Sequence, residues 1–160
     1  MKKLILLALL LFVCSLPAFA QQDDYERYRR EQRESLRGLD ALTVFVSAPV
    51  EFNVFKEERA VRARLEKAGV KMNTDGPVTL LVSIYARKDA SRKVYAVFLS
   101  VEVLQPATIN RTGKSEMAMT WIRRMPMICD ARWKLLYKTL SGMLDDFVSD
   151  FQMANPSRRT

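Results

Sequence analysis

Four segments of the chain have the residue pattern of β-strands. This pattern is either a strict alternation of apolar and polar residues or a short apolar run between turn residues. Segment 42–47 alternates and is rich in β-branched residues, and segment 78–86 is apolar on both faces, as in a central strand. Segment 94–104 alternates, and Pro106 is expected to interrupt or bulge it. Segment 116–127 returns antiparallel to it after a hairpin loop. The core side of the third strand is formed by Tyr95, Val97, Leu99, Val101 and Val103.

Two further segments have apolar residues at the three- and four-residue steps of an amphipathic helix. The first covers 57–69, where one face is apolar and Gly69 fits the position just past the C-terminus. The second covers 131–153, and Asp130 is predicted to be its N-cap. The apolar stripe of the second helix indicates that it faces the core, and it consists of Trp133, Leu136, Leu140, Met143, Leu144, Phe147 and Phe151.

The order of these elements, strand-helix-strand-strand-strand-helix, predicts an α+β fold. We expect a two-layer sandwich in which both helices pack on one face of a mixed four-stranded sheet, with the last three strands in an antiparallel meander. Residues 41–156 would form this single domain. Residues 21–40 are predicted to be a charged helical linker, because segment 23–37 carries five arginines against five carboxylates. Residues 157–160 are predicted to be a disordered tail.

The first twenty residues have the three-part pattern of a bacterial signal peptide. Two lysines precede an apolar run over 4–16, and Ala18 and Ala20 are the small residues of the cleavage motif. We therefore expect cleavage after Ala20 and a periplasmic mature protein. A lipoprotein signal with Cys14 as the lipidated residue is the less favoured alternative, because the two residues before Cys14 are large.

The composition argues against most enzyme classes. The chain has 160 residues, no histidine and five glycines. The absence of histidine removes the commonest general base and metal ligand, and scattered glycines do not build a phosphate-binding loop. Glu102 and Glu116 lie on adjacent predicted strands and could form a carboxylate pair, but solvated positions are the more common role of such residues. We therefore predict a protein that is not an enzyme and has no cofactor.

One group of sulfur-containing residues leaves a metal site open. Met125, Met127 and Cys129 are spaced by two, so they share one side of an extended strand. Thioethers together with a thiolate suit Cu(I). Methionine also fills apolar cores, so core packing is the favoured interpretation of these residues. The thiol of Cys129 is accordingly expected to be buried and inert rather than activated by the start of the following helix.

The chain is basic, with 26 Lys and Arg against 18 Asp and Glu, a net charge of +8. Removal of residues 1–20 would leave +6, and all of this excess lies after residue 38. Such a surface can contact an anionic membrane, a polyanionic glycan or an acidic protein. Nucleic acid is not expected for an exported protein without a recognition helix. The cations of one predicted turn are candidate partner-binding residues: Arg87, Lys88, Arg92 and Lys93.

The function that the sequence favours is protein–protein contact. Val94, Ala96 and Phe98 lie opposite the core-facing set of the third strand, on the sheet face that the helices would leave uncovered. The first hypothesis is a periplasmic, non-enzymatic accessory or binding protein. It would contact envelope proteins, or a second copy of itself, through this face or through an edge strand. The alternatives are a carrier of a small apolar or anionic ligand between sheet and helices, and a Cu(I)-handling protein.

Parts of the sequence resemble a group of small, uncharacterised exported bacterial proteins. The resemblance rests on segments 101–106 (VEVLQP), 120–121 (TW) and 145–156, an acidic and aromatic helix that ends in Asn-Pro. The order of strands and helices is also similar to that of the N-terminal domain of TolB and of the curli secretion lipoprotein. These resemblances imply a small α/β domain of the cell envelope and assign no reaction.

Overall fold

The computed structural model describes residues 23–156, and within this range the chain forms three helices and five strands. Helix α1 covers residues 23–34. The predicted signal peptide (1–20), the alternative lipidation site at Cys14 and the predicted tail (157–160) lie outside the described residues. The elements after α1 are β1 (Ala41–Ser47), α2 (Val54–Lys67), β2 (Lys71–Met72), β3 (Thr79–Asp89), β4 (Val94–Thr108), β5 (Ser115–Cys129) and α3 (Lys134–Ala154).

The strands form one mixed sheet with the order β2-β1-β3-β4-β5. β1 pairs in parallel with β2 and β3, whereas β3, β4 and β5 form an antiparallel meander. The α+β class, the meander and the central position of β3 are therefore confirmed. The prediction of a four-stranded sheet is wrong, because β2 adds a fifth strand beside Ala41 and Leu42. With two residues, β2 is too short to produce a strand pattern in the sequence.

Pro106 lies inside β4 and does not interrupt it, which corrects the prediction from sequence. The register pairs Pro106 with Met117, and the irregularity falls between Val103 and Leu104 instead, where Thr120 of β5 is the extra residue. The pairing of β4 with β3 ends at Leu104, so Pro106 has a neighbouring strand on one side only. A proline, which lacks an N–H, is tolerated where a strand has a free edge.

Helix α2 is capped at both ends. The Asn53 side chain accepts a hydrogen bond of 3.1 Å from the backbone N–H of Lys56, which satisfies one of the free amides of the first turn. At the other end Gly69 has a φ of 83°, and its N–H and that of Val70 donate to carbonyls of the last turn. The predicted role of Gly69 is confirmed, because this left-handed conformation favours a residue without Cβ.

Helix α3 begins three residues later than predicted, and Asp130 is not its N-cap. The residue before the helix is Trp133, whose φ of 58° is left-handed and whose side chain makes no capping hydrogen bond. The carboxylate of Asp130 instead accepts a hydrogen bond of 3.0 Å from the N–H of Arg132 and so holds the preceding turn. The ring of Trp133 packs against Phe52 and Tyr95, and these aromatic contacts fix the start of the helix.

Helices α2 and α3 cover the same face of the sheet, as the sequence predicts. One cluster of buried apolar side chains joins them to the strands, for example Leu65 of α2 and Phe147 of α3 with Val44, Val82 and Leu99. Burial of each such side chain stabilises the fold by about 1.5–3 kcal/mol. Within residues 23–156 no helix covers the opposite side of the sheet, which we call the open face. None of the helices in this range is long and apolar enough to cross a membrane.

Helix α1 and the residues after it, predicted to be a charged linker, are packed on the rest of the fold. Leu36 is fully buried in the core, and its carbonyl accepts a hydrogen bond from the side-chain amide of Asn155. The amide oxygen of Asn155 accepts a second bond of 2.8 Å from the N–H of Gly38. Arg33 lies 3.2 Å from the carboxylate of Asp150 in α3. The segment is thus joined to α3 by both apolar and polar contacts.

Candidate docking face on the open side of the sheet

The open face exposes apolar side chains on four neighbouring strands. The register places Tyr85, Phe98 and Pro126 side by side across β3, β4 and β5, and it places Ala96 beside Ile128 in the next row. The large side chains of this surface are 39–68% exposed. A contiguous apolar surface of this kind is typical of interaction sites. We define the docking face by its exposed apolar residues: Phe45, Tyr85, Ala96, Phe98, Met119 and Ile128.

The aromatic end of the docking face contains a shallow groove. The ring centroids of Tyr85 and Phe98 are 6.4 Å apart, with the rings tilted by 46°. Pro49 of the loop after β1 and the stem of Arg87 line the groove beside them, and its volume is about 400 Å³. The groove therefore offers apolar walls with a cation at its margin.

A polar row crosses the middle of the docking face. The register aligns Ser83, Ser100 and Arg124 on three neighbouring strands, and both serines are buried. Arg124 donates hydrogen bonds of 3.0 and 3.1 Å to Oε1 of Glu102, which is also buried. Arg124 itself is about half exposed, so part of its guanidinium faces solvent. Another protein can hydrogen-bond to the exposed part of Arg124, whereas the hydrocarbon of a bilayer cannot.

All three apolar residues predicted for this face lie on it, because they alternate along β4. Ala96 and Phe98 are exposed there, whereas Val94 is half-buried opposite Asp89 at the start of β4. The alternation of β4 identifies Phe98 alone, and only the register shows which residues of the other strands adjoin it. The alternation within each strand was the one signal that could have found them. The residues missed in this way are Phe45, Tyr85, Met119 and Ile128.

The four predicted partner-binding cations all lie at the β3–β4 turn and are exposed, but they do not share a face. Arg87 lies on the open face, whereas Lys88 lies opposite Tyr95 on the helix side. Arg92 and Lys93 lie in the turn itself, and Lys93 has a left-handed φ of 54°. These cations therefore surround one end of the sheet instead of bordering the docking face alone.

A buried carboxylate lies on the helix side of the sheet. Asp150 accepts hydrogen bonds from Trp121 Nε1 at 3.0 Å, from Arg123 at 2.9 Å and from Arg33 at 3.2 Å, and Arg29 lies 3.6 Å away. Both oxygens are thus engaged by donors from α1 and β5. The geometry is that of a structural junction between α1, β5 and α3, since each carboxylate oxygen already has a donor.

Met125, Met127 and Cys129 share the helix side of β5, opposite core-facing residues of β4. Cys129 is buried, and Met127 packs against the core. Burial, with a smaller contribution from the charge of Asp130, raises the pKa of the Cys129 thiol above its ordinary value. The protonated thiol is thereby favoured over the thiolate that Cu(I) prefers. Within the described range no group of three or more His, Cys, Asp or Glu could hold a metal ion.

Glu102 and Glu116 do not form a carboxylate pair. Glu116 lies opposite Ala107, five residues along β4 from Glu102, which is roughly 17 Å in an extended strand. Because five is an odd number of positions, the two residues also lie on opposite faces of the sheet. Glu102 is paired with Arg124 instead. The carboxylate-pair hypothesis is therefore wrong, because the two strands pair in a different register from the one it needs.

Comparisons with known proteins do not assign the chain to a family. No protein-family model and no curated protein matches it. Among solved structures it is similar to the crystal structure of rare lipoprotein B from Shewanella oneidensis, with 17% sequence identity and a TM-score of 0.23, over 71% of this chain and 88% of that one. At this TM-score the similarity carries no argument about function. The resemblances to exported bacterial proteins, to the TolB domain and to the curli lipoprotein stay predictions.

Proposed function

We propose that the protein is a non-enzymatic accessory protein of the bacterial envelope that binds a partner protein through the docking face. The observation that carries the proposal is that Tyr85, Phe98 and Ile128 are exposed on neighbouring strands, with Phe45 beyond the polar row, on a sheet face that no helix of residues 23–156 covers. Large exposed apolar patches on soluble proteins mark interaction sites. The periplasmic location rests on the signal-peptide pattern of residues 1–20.

The charges around the docking face indicate the chemistry of the partner. Arg87 and Arg124 present guanidinium groups on this side of the sheet, and the carboxylate of Glu102 is buried beneath Arg124. Residues 21–160 carry a net charge of +6, so two copies repel each other at low salt. The partner is therefore a protein surface that is apolar at its centre and bordered by Asp or Glu, in preference to a second copy of this chain.

A small-ligand carrier and a Cu(I)-handling protein have less support. The gap between α2 and α3, lined by Val61, Leu140 and Leu144, has a volume of about 170 Å³. Ligand pockets usually measure roughly 300–1,000 Å³. The hydroxyl of Tyr137 also donates a hydrogen bond of 3.0 Å to Glu57 across this gap. Cu(I) binding is disfavoured for a different reason, because Cys129 is buried and the raised pKa of its thiol favours the protonated form over the thiolate.

The proposal is tested by crosslinking in cells that export the protein. A photo-crosslinking amino acid is placed at Phe45 or Phe98 on the docking face, and at Tyr28 or Met153 as controls, since these are comparably exposed apolar residues of α1 and α3. We expect one discrete adduct from the two docking-face positions and none from the controls. The adduct is identified by mass spectrometry, and the partner is then purified for binding measurements.

The binding measurements compare the wild type with a docking-face variant and a matched control variant. Phe98→Ser should weaken binding of the purified partner by about tenfold or more, as for a central interface residue. Tyr28→Ser should leave the Kd unchanged. An adduct of twice the mass of this chain would replace the partner by a second copy. Equal labelling at all four positions, or no adduct at any, would overturn the proposal.

A further inference from the structure

Three connections meet at one end of the molecule and are held there by aromatic contacts. The ring centroid of Trp133 lies 4.8 Å from that of Phe52 and 4.5 Å from that of Tyr95. The hydrogen bond from Tyr137 to Glu57 places the first turn of α3 beside the first turn of α2. The three connections are 48–53 after β1, 90–93 between β3 and β4, and 130–133 before α3. We call them, together with the ends of the helices and strands that they join, the loop end.

Apolar side chains protrude from the loop end into solvent. Val50, in the loop after β1, is 97% exposed, and Phe55, in the first turn of α2, is 79% exposed. Leu135, in the first turn of α3, is 49% exposed. A single exposed apolar residue is ordinary, but three of them around adjoining connections indicate an interaction site.

The loop end also carries much of the positive charge of the chain. Segments 48–59, 85–95 and 127–138 contain nine Lys or Arg and five Asp or Glu, a net charge of +4. Of their carboxylates, Asp89 is engaged by Ser91 and Asp130 by Arg132. Eight exposed cations of these segments make no ion pair with any carboxylate of residues 23–156: Lys56, Arg59, Arg87, Lys88, Arg92, Lys93, Lys134 and Lys138.

We propose that the loop end binds an anionic phospholipid surface. Val50 and Phe55 insert between the headgroups, and the surrounding ammonium and guanidinium groups contact the lipid phosphates. The long stems of Lys and Arg allow the charges to stay at the level of the phosphates while the apolar side chains go deeper. This inference does not depend on the docking face, because Val50, Phe55 and the turn cations lie outside it.

Lipid is favoured over an acidic protein by the arrangement of the apolar side chains. Val50, Phe55 and Leu135 protrude from three different segments, the loop after β1 and the first turns of α2 and α3, whereas Tyr85 and Phe98 of the docking face are neighbours in the strand register. A fluid lipid surface accommodates such isolated side chains individually. A protein partner would need a separate pocket for each of them.

The test is co-sedimentation of the protein, purified from the envelope fraction, with lipid vesicles. Vesicles of phosphatidylglycerol and phosphatidylethanolamine are compared with vesicles of phosphatidylcholine alone, at low and at high salt. Two variants remove the proposed contacts, and two matched variants remove similar residues elsewhere. The loop-end variants are Val50→Ser/Phe55→Ser and Lys88→Ser/Arg92→Ser/Lys93→Ser, and the controls are Tyr28→Ser/Met153→Ser and Lys67→Ser/Arg111→Ser/Lys114→Ser.

We expect binding to the anionic vesicles that weakens with salt and is about tenfold weaker in each loop-end variant, while both controls bind like the wild type. All substituted residues are exposed, and an unchanged circular dichroism spectrum verifies that each variant is folded. A third arm adds a soluble anionic polysaccharide or an acidic polypeptide. Preferential binding to either of these would identify a glycan or a protein as the ligand and overturn the proposal.

Three other results would also overturn it. Equal loss in the loop-end and control charge variants would mean that net charge alone drives adsorption. Unchanged binding of Val50→Ser/Phe55→Ser would mean that no apolar side chain inserts. Equal binding to phosphatidylcholine would remove the requirement for lipid charge.

Discussion

The indole N–H of Trp121 donates a hydrogen bond of 3.0 Å to Oδ2 of Asp150, and this buried contact joins β5 to α3. The side chain of Asp150 is only 2% exposed. Arg123, whose guanidinium lies 4.6 Å from the centroid of the Trp121 ring, and Arg33 of α1 donate to the same carboxylate. Three elements therefore depend on one buried negative charge.

Loss of that charge should destabilise the protein. In Asp150→Asn the amide can still accept from Trp121, but Arg33 loses its counter-charge, and the largely buried Arg123 keeps only the half-exposed Asp146. We expect the free energy of unfolding, measured in urea, to fall by about 2–4 kcal/mol. Hydrogen exchange should also become faster in residues 23–34, because Arg33 is one of the groups that hold α1 in place.

Asp146→Asn is the matched control for this substitution. Asp146 pairs with the same Arg123 at 3.4 Å, but its side chain is half exposed. Its removal should cost less than about 1 kcal/mol, as is usual for a solvated ion pair. Similar losses in the two variants would contradict the role assigned to the buried carboxylate.

Adjacent residues of β4 should respond differently to truncation because they lie on opposite faces. Leu99 is fully buried against the helices, whereas Phe98 lies on the docking face. Leu99→Ala should lower the free energy of unfolding by about 2–5 kcal/mol, and Phe98→Ala by less than about 1 kcal/mol. Both values come from the same denaturation experiment. A larger loss from Phe98→Ala than from Leu99→Ala would show that the open face is not solvent-exposed in solution.

Local sequence patterns were sufficient for most of the fold. The alternation over β4 correctly separated its buried residues, such as Leu99, from its exposed ones, such as Phe98. The apolar run of β3 correctly indicated a central strand, and Gly69 correctly marked the end of α2. These features depend on residues close together in the chain, and a single periodicity or a single backbone conformation decides them.

The features that the sequence did not predict depend on contacts between distant residues. Asp150 is one of several carboxylates in an acidic helix, and nothing local indicates that Trp121 and two arginines converge on it. The start of α3 was misplaced because aromatic packing of Trp133, rather than a capping side chain, determines it. The docking face likewise required the strand register, which places Tyr85 beside Phe98.

The stability of the protein should fall at alkaline pH because of Cys129. Burial raises the pKa of this thiol above its ordinary value of 9.0, with a smaller contribution from the charge of Asp130. Below that value the thiol is protonated in both states, so its contribution to stability is fully present. As the pH rises above 9.0, the unfolded chain releases this proton before the folded protein does. The free energy of unfolding therefore falls between the pKa of the unfolded state and the higher pKa of the folded state.

The measurement is urea unfolding of the wild type and of Cys129→Ala across this pH range. We expect the free energy of unfolding of the wild type to fall more steeply with pH than that of the variant. The two slopes should differ by at most about 1.4 kcal/mol per pH unit, because only one titrating group is removed. Burial also raises the pKa of Tyr137, but from an ordinary value of 10.0, so its effect begins at higher pH. Parallel pH profiles for the two proteins would contradict the burial of the thiol.

Within residues 23–156, Lys93 and Trp133 are the two left-handed residues other than glycine, and they should respond in opposite directions to glycine substitution. Lys93 and Trp133 have φ values of 54° and 58°, a conformation that costs a residue with Cβ about 1–2 kcal/mol. Glycine removes this cost and loses about 0.5–1 kcal/mol through the entropy of the unfolded chain. Lys93 is exposed in a turn, so Lys93→Gly should raise the free energy of unfolding by about 0.5 kcal/mol.

Trp133→Gly gains the same backbone relief but loses the contacts of its ring with Phe52 and Tyr95. Truncation of a large packed aromatic side chain costs about 3–5 kcal/mol, and the half-buried position of Trp133 places the loss near the lower limit. The packing term therefore exceeds the backbone term, and the net effect should be a loss of about 2 kcal/mol. The measurement is thermal unfolding of Lys93→Gly and Trp133→Gly beside the wild type. A Trp133→Gly variant more stable than the wild type would mean that the aromatic contacts do not hold the loop end together.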